Sequence, residues 1–356
     1  MSCTDVYRAV YAQCDPGYGI GGYDLKASAD RCFAFDYNST GKRDHVVLYR
    51  PGLGCVCILK NTCGVFTAVY ATSSPGQGIG GYDLKSPNDR MCPFDYDHSG
   101  KADHLLVYRP GTGTIWILKN CAGQFMPVFA QMVPGTGIGG CNLASVADRI
   151  FAYDYDSTGK LDHLVIYRPG TGMVWILKND CGSFTAVYAQ NNGIGGYNLD
   201  SHADRAFAFD YEGNGKLDEI VLYRPGAGIF CIIQKNGTGF ASIYTTDTAS
   251  GGVGGCTLNS PADRCFAYDY DGGDNLDELV IYRPGTGMFW ILERNGTEGY
   301  KPVYRQDAPG EGIGGYNFKS PIDRCFAFDY ASNGNPDHLV SYRPGTGTVW
   351  ILERAS

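Results

Sequence analysis

A chain of 356 residues, at about 150 residues per domain, leaves room for two or three domains or for one long repeat fold. With 44% apolar and 19% charged residues it can bury a core and is not a disordered chain, and no apolar run approaches the ~18 residues of a membrane helix. The net charge of −8 argues against sequence-independent nucleic-acid binding and against anionic membrane surfaces.

The opening segment, MSCTDVYRAVYAQ, has neither a basic n-region nor an apolar h-region. A secretory leader is therefore not expected, and the expected location is cytoplasmic, or outside the cell by a route without a signal peptide. The fourteen cysteines then read first as reduced or buried thiols. Residues 6–12 match Phe66–Tyr70 and Phe184–Tyr188, which end a strand pattern further along.

From residue 30 the chain repeats. Asp-Arg-x-Phe-Ala-Phe-Asp-Tyr and its variants return six times, placing an Asp at 36, 95, 154, 210, 269 and 329. The repeats start near 30, 89, 148, 204, 263 and 323. Within the first, Cys32–Phe35, Val46–Tyr49, Val56–Leu59 and Phe66–Tyr70 carry strand patterns rich in β-branched and aromatic residues. An Asp-rich loop, an Arg-Pro-Gly turn and an Asn-to-Gly turn separate them. A long Gly-rich loop leads to the next repeat, and no segment shows a 3.6-residue period. A period near 59 suits a four-stranded propeller blade with one long loop. The last repeat ends at a third strand, so residues 6–12 are expected to supply its fourth and close the ring. The expectation is an all-β, six-bladed propeller of four-stranded antiparallel blades forming one domain, 1–356.

Each Asp-rich loop sets oxygen donors at alternate positions, then a Gly, then a last acid. The sets are Asp36/Asn38/Thr40/Asp44, Asp95/Asp97/Ser99/Asp103, Asp154/Asp156/Thr158/Asp162, Asp210/Glu212/Asn214/Asp218, Asp269/Asp271/Asp277 and Asp329/Asn333/Asp337. Hard oxygen ligands in this order, with Gly at the sharp turn, point to Ca²⁺, up to one per blade. The plain alternative is that Asp, Asn and Gly only build turns. In the fifth loop Gly273 and Asp274 reverse the usual order, and in the sixth Ala331 replaces the second acid.

Strand, Asp-rich loop, Leu/Val-rich strand and Pro-Gly turn, with GIGGYDL loops and YRPGTG turns, resemble the FG-GAP and VCBS propeller repeats over the whole chain. Those repeats occur in integrin-type propellers and in some fungal lectins. The resemblance implies a Ca²⁺-containing propeller lectin for galactose or N-acetylgalactosamine-type sugars that forms a homodimer.

In a four-stranded meander, connections 1–2 and 3–4 leave one end and connections 2–3 and 4–1 the other. The Arg-Pro-Gly turn and the long Gly-rich loop therefore share the face opposite the acidic loops, and loops on a rigid scaffold are where binding residues gather. A Gly-Tyr-Asp/Asn triplet recurs there: Gly22/Tyr23/Asp24, Gly81/Tyr82/Asp83, Gly196/Tyr197/Asn198 and Gly315/Tyr316/Asn317. An aromatic ring beside a carboxylate or amide suits a sugar, the ring taking its C–H face. Packing between blades is the structural alternative. Cys141 and Cys256 replace the Tyr in the other copies, and Cys57 and Cys231 replace the strand-3 Trp of 116, 175, 290 and 350. Arg31 follows Asp30, so an ion pair is its default and donation to a sugar the sharper reading. His45, His104, His163 and His338 recur in four equivalent places and read as strand-edge residues.

The expected function is a multivalent, non-enzymatic lectin whose partners are glycans on glycoproteins or cell surfaces. The alternatives are a propeller glycosidase, which needs one site with two unlike carboxylates, and a protein-interaction scaffold. No unique catalytic constellation stands out from the repeats. A homodimer joined by a disulfide is expected at one of the thiols away from the sugar face, with Cys63, Cys121 and Cys181 of the 3–4 turns preferred over Cys3, Cys14, Cys141 and Cys256.

Overall fold

Short turns with glycine in the left-handed region fold each repeat into an antiparallel meander. In the computed structural model, which describes residues 7–72, 74–246, 251–296 and 299–355, twenty-four strands form six four-stranded sheets with no helix among the described residues. The first blade is β2 (Arg31–Phe35), β3 (His45–Arg50), β4 (Cys55–Thr62) and β5 (Val65–Ala71), in that spatial order. β3 is buried from His45 to Tyr49, because neighbouring blades cover both its faces; such strands read as continuous apolar runs. β5 is outermost and mostly exposed or half-buried.

The innermost strands are β2, β6 (Arg90–Phe94), β10 (Arg149–Tyr153), β14 (Arg205–Phe209), β18 (Arg264–Tyr268) and β22 (Arg324–Phe328). Each touches the next around the ring, and β22 touches β2. The apolar clusters lie between blades. One joins Phe35, Val47 and Ile58 of the first blade to Leu105, Leu118 and Phe125 of the second.

The ring closes through β1 (Tyr7–Gln13), which pairs with β24 (Thr348–Arg354), beyond β23 (His338–Arg343) and β22. Of residues 6–12, Val6 lies outside the described residues. A β-bulge identifies β1 as a true fourth strand. In every blade the outer pair shifts register by one residue, with Val10, Val69, Val128, Val187, Ile243 or Val303 as the extra residue. A β-branched residue stands at all six.

The two faces follow the meander. On one, Asn61, Asn120 and Asn179 of the 3–4 turns donate to the carbonyls of Tyr330, Tyr37 and Tyr96 in the preceding blade's acidic loop. On the other, Gly52 N–H donates to Leu84 O, tying a 2–3 turn to the next 4–1 loop. That loop is itself a tight hairpin in which Ile20 and Tyr23 exchange both backbone bonds across Gly21 and Gly22, at φ 55° and 88°. A Cβ on Gly19 would stand 1.8 Å from Tyr23 O, so only glycine fits there.

The thirteen described cysteines are free thiols; Cys3 lies outside the described residues. Cys63, Cys121 and Cys181 are exposed, as is Cys14. Cys141 and Cys256 are buried at 2% exposure, which removes them from the set of thiols that can reach another chain.

Candidate functional site

On the 4–1 face, each blade begins with a buried Asp: 30, 89, 148, 204, 263 or 323. Its partner is not the adjacent Arg but the Arg that ends the second strand. Arg50 Nε and Nη2 donate to the two oxygens of Asp30 at 2.7 and 2.9 Å. Arg109, Arg168, Arg224, Arg283 and Arg343 repeat this fork. The expected Arg31–Asp30 pair is thus corrected: Arg31 Nη1 donates to the carbonyls of Ser28, Ala29 and Asp30.

The Tyr of the loop completes this bracket. Tyr23, Tyr82, Tyr197 and Tyr316 donate their hydroxyls to Asp30, Asp89, Asp204 and Asp323 at 2.7–2.9 Å. Tyr82 and Tyr316 are 3% exposed and Tyr197 6%. The expectation that these rings offer a stacking face is therefore corrected: their faces are spent on packing, and burial together with the neighbouring Asp pushes the phenols up. What reaches solvent is the next residue. Asp83 accepts from Arg109 Nη2 at 2.6 Å and Asp24 from Arg50 at 2.6 Å, with about half of each side chain open. Asn198 and Asn317 accept from Arg224 and Arg343.

The aromatic that does line an opening is the strand-3 Trp. In the second blade Gly81, Tyr82, Asp83, Arg109, Thr114, Trp116 and Met132 surround an open cavity of ≈ 210 Å³. A Cβ on Gly81 would meet the Trp116 ring at 3.4 Å, so glycine lets the loop rest on the indole. Trp116 Nε1 is buried without a partner. The residue paired with Trp across the outer strands decides whether its face is open. It is Ala130 for Trp116, Ala189 for Trp175 and Ala12 for Trp350, but Arg305 for Trp290. Arg305 lies 4.3 Å over the Trp290 ring, and Asp307 takes its N–H at 2.7 Å. The blade-5 copy is thus filled by the protein itself. In the first and fourth blades Cys57 and Cys231 leave Gly22 and Gly196 facing open space.

On the opposite face, the first Asp of each acidic loop closes its own turn. Asp36 accepts from the N–H groups of Thr40 and Gly41 at 2.9 and 2.6 Å. Asp95, Asp154, Asp210, Asp269 and Asp329 do the same. In four blades the last Asp lies against the following His, although Asp103 Oδ1 and His104 Nδ1 make no hydrogen bond. Asp44–His45, Asp103–His104, Asp162–His163 and Asp337–His338 approach at 2.6–2.7 Å. Those four His are buried, 0–6% exposed, not strand-edge residues as the sequence suggests.

In the fourth and fifth blades Glu219 and Glu278 stand in the His position. Asp218 Oδ1 and Asp277 Oδ1 are there buried without a partner. Burial raises Asp277 to about 6, and Glu219 and Glu278 each to about 8. These loops hold the hard oxygen donors and the uncompensated charge that suit a divalent cation. Among the described residues, one group of three acid or imidazole ligand atoms lies within 4.8 Å: Asp97, Asp103 and His104. Ser99 is the further metal donor expected in this loop. Its hydroxyl turns back to Asp95 Oδ1 at 3.5 Å, and its N–H meets the same oxygen at 3.0 Å. Thr40 and Thr158 turn their hydroxyls to Asp36 and Asp154 in the same way, at 3.4 Å. The physical reason is local: a Ser or Thr four residues after the Asp is held over that carboxylate by the turn itself. The remaining acidic candidates Asp156, Glu212 and Asp271 join no such group among the described residues, and Asn38, Asn214 and Asn333 sit in the same loops.

The axis on this face carries a feature the repeat pattern conceals. A cavity of ≈ 200 Å³ is lined by Arg43, Ala102, Leu161, Leu217, Leu276 and Pro336 at one ring position, with Asp274 where other blades have glycine. Six equivalent blades therefore build one site that is not sixfold.

No protein-family model and no curated protein matches the chain. Solved structures do. A lectin of Agrocybe aegerita, described for specific recognition of non-reducing terminal N-acetylglucosamine, is 19% identical over 94% of this chain and 81% of its own, with a TM-score of 0.54. A Bacteroides uniformis protein assigned as a 6-phosphogluconolactonase is 12% identical over 88% and 78%, with a TM-score of 0.47. A periplasmic gluconolactonase of Pseudomonas aeruginosa is 10% identical over 75% and 68%, with a TM-score of 0.38. The expectation of a non-enzyme is not borne out: proteins named for enzymes stand among the similar structures, although at these identities and TM-scores the likeness is one of fold alone. At these identities what the chain shares with the Agrocybe aegerita lectin is the fold.

Proposed function

We propose that the protein binds carbohydrate through Trp-floored recesses on the 4–1 face. The carrying observation is the second-blade cavity, where an open indole with a free N–H lies beside Asp83, Arg109 and Thr114. An indole accepts the C–H face of a sugar, and a charged Asp–Arg pair beside it serves the hydroxyls. The Agrocybe aegerita lectin's recognition of terminal N-acetylglucosamine supports a hexose or N-acetylhexosamine ligand, and the repeat resemblance favours the galactose series. The third and sixth blades, with Trp175 and Trp350 opposite alanines, are the other recesses. Several weak sites on one face would act together on a branched glycan, since avidity rises with effective concentration.

Calorimetry with galactose, N-acetylgalactosamine and N-acetylglucosamine tests this. Trp116→Ala is expected to lower the stoichiometry by one, and Arg305→Ala, which uncovers Trp290, to raise it by one. Unchanged stoichiometry in both variants would reject the Trp recesses. Tyr82→Ala is not the test: truncating a buried aromatic costs about 3–5 kcal/mol and would perturb folding.

We also propose Ca²⁺ in the acidic loops, up to one per blade. The orphaned Asp103, Asp218 and Asp277 oxygens make Asp95/Asp97/Ser99/Asp103, Asp210/Glu212/Asn214/Asp218 and Asp269/Asp271/Asp277 the loops most relieved by it. The metal would supply charge neutralisation and loop order on the face away from the Trp recesses. A cation bound only by the native state at a hundredfold its Kd adds about 2.7 kcal/mol. Chelation is expected to lower the melting temperature, and Asp218→Asn to remove one equivalent of metal. Purified protein that contains no Ca²⁺ and melts identically with chelator would overturn this reading. The exposed 3–4 turn thiols Cys63, Cys121 and Cys181 are where a covalent homodimer would join.

A further inference from the structure

The first residue of every innermost strand is an arginine: Arg31, Arg90, Arg149, Arg205, Arg264 and Arg324. These six positive charges gather around the propeller axis at the 4–1 face, in a protein whose net charge is −8. Neighbouring innermost strands approach within 8 Å, Cα to Cα. In a hexagon the radius equals the side, so the axis at that level lies within reach of each guanidinium.

Among the described residues none of the six lies within 4 Å of a carboxylate oxygen, because Asp30 and its equivalents are held by the second-strand arginines. Arg31, Arg149, Arg205 and Arg264 each spend one nitrogen, Nη1, on three backbone carbonyls of the preceding loop. Arg90 Nε is buried with no partner. All six side chains remain partly open to solvent.

Between successive arginines stands a phenol. Tyr49, Tyr108, Tyr167, Tyr223, Tyr282 and Tyr342 are buried at the end of the second strand. Each hydroxyl oxygen accepts the N–H of the residue after the next blade's arginine, from Met91, Ile150, Ala206, Cys265, Cys325 or Cys32, at 3.1–3.3 Å. Each phenol also feels the charge of the arginines on both sides of it. With its oxygen so engaged, the O–H proton is left to donate. Burial, above all, weakens the hold of Arg149 and Arg264 on their protons; the neighbouring arginines act in the same direction and the phenols against it.

Guanidinium groups bind oxyanions through paired N–H donors, and a ring of like charges is relieved by a counter-anion. We propose that the axial mouth on the 4–1 face is an oxyanion site, taking one sulfate or phosphate group, free or carried on a sugar, between the six arginines and the phenols that separate them. It is distinct from the Trp recesses. It lies on the axis, it occurs once per chain and it reads charge.

Calorimetric titration of the full chain with sodium sulfate and with sodium phosphate, at ionic strength held constant with chloride, tests it. One saturable site per chain is expected, with a higher melting temperature. Arg205→Gln is expected to weaken binding roughly tenfold or more, the loss of a charged hydrogen-bonding partner. Arg205→Lys keeps the charge and should retain more of the affinity, which guards against a misfolded Gln variant. Galactose 6-sulfate binding at the axis where galactose does not would assign a glycan-borne group, and binding of the inorganic ions alone a free one. Absence of saturable binding by the parent protein to all three at millimolar concentration would overturn the site, as would Arg205→Gln affinity equal to the parent's in a folded variant.

Discussion

Removing residues 1–13 is expected to convert the protein into an aggregating or strongly destabilised species. The deletion strips β1 from β24 and leaves a row of unpaired backbone groups on an apolar third strand, a template for pairing with another chain. It also uncovers the cluster around Tyr7, which is 6% exposed and packs with Tyr268, Tyr304 and Leu352. Burying one such side chain stabilises by roughly 1.5–3 kcal/mol, and each lost ladder bond adds about 1 kcal/mol. At about 2–4 °C per kcal/mol, the melting temperature should fall by about 10 °C or more. Differential scanning calorimetry with light scattering checks this. A truncated chain that stays monomeric and melts like the parent would show that the ring does not depend on its first strand.

The second large effect separates two carboxylates that share one arginine. Asp89 is 2% exposed and accepts from Arg109 Nε and Nη2, the Tyr82 hydroxyl and Ser86 N–H at 2.8–2.9 Å. Asp89→Ala leaves a guanidinium, a phenol and an amide without their acceptor, and breaking a buried pair on one side costs about 3–5 kcal/mol. Asp83 accepts from the same Arg109 at 2.6 Å but has 45% of its side chain exposed. Water compensates its loss, so Asp83→Ala should cost no more than about 1 kcal/mol. Denaturant unfolding of both variants checks the ranking. Asp83→Ala should instead act on ligand binding, since its carboxylate borders the Trp116 cavity. Equal destabilisation by the two substitutions would mean that burial does not govern this bracket.

Much of the architecture is local chemistry repeated. Period-two apolar patterns, β-branched runs such as His45–Arg50 and turns punctuated by Gly and Pro specify strands within a few residues of sequence. Six recurrences then specify the blade number, and the missing last strand specifies that residues near 6–12 must close the ring. The acidic loops were legible for the same reason, since alternate donors and a glycine are a contiguous pattern. Which donors gather was less so: among the described residues one group, Asp97, Asp103 and His104, brings its ligand atoms within 4.8 Å.

What neighbours what across blades was not legible. Sequence adjacency pairs Asp30 with Arg31, whereas the meander brings Arg50 back over Asp30 and leaves Arg31 on the carbonyls of its own loop. Loop composition favours Tyr as the stacking residue, whereas packing buries Tyr82 and opens Trp116. Whether a Trp face is open rests on Ala130 or Arg305 opposite it, a pairing displaced by one residue at the bulge of the outer strand. The pairing of Asp44 with His45 is adjacent in sequence, yet its burial comes from blades packed on both sides. By itself the sequence determined the repeat, the strands, the turns and the closing segment, because these depend on contacts a few residues apart. Only the tertiary structure decided which side chains are exposed and which are spent on packing, and that six arginines begin neighbouring innermost strands, because these depend on register and blade-to-blade contacts between residues tens to hundreds of positions apart.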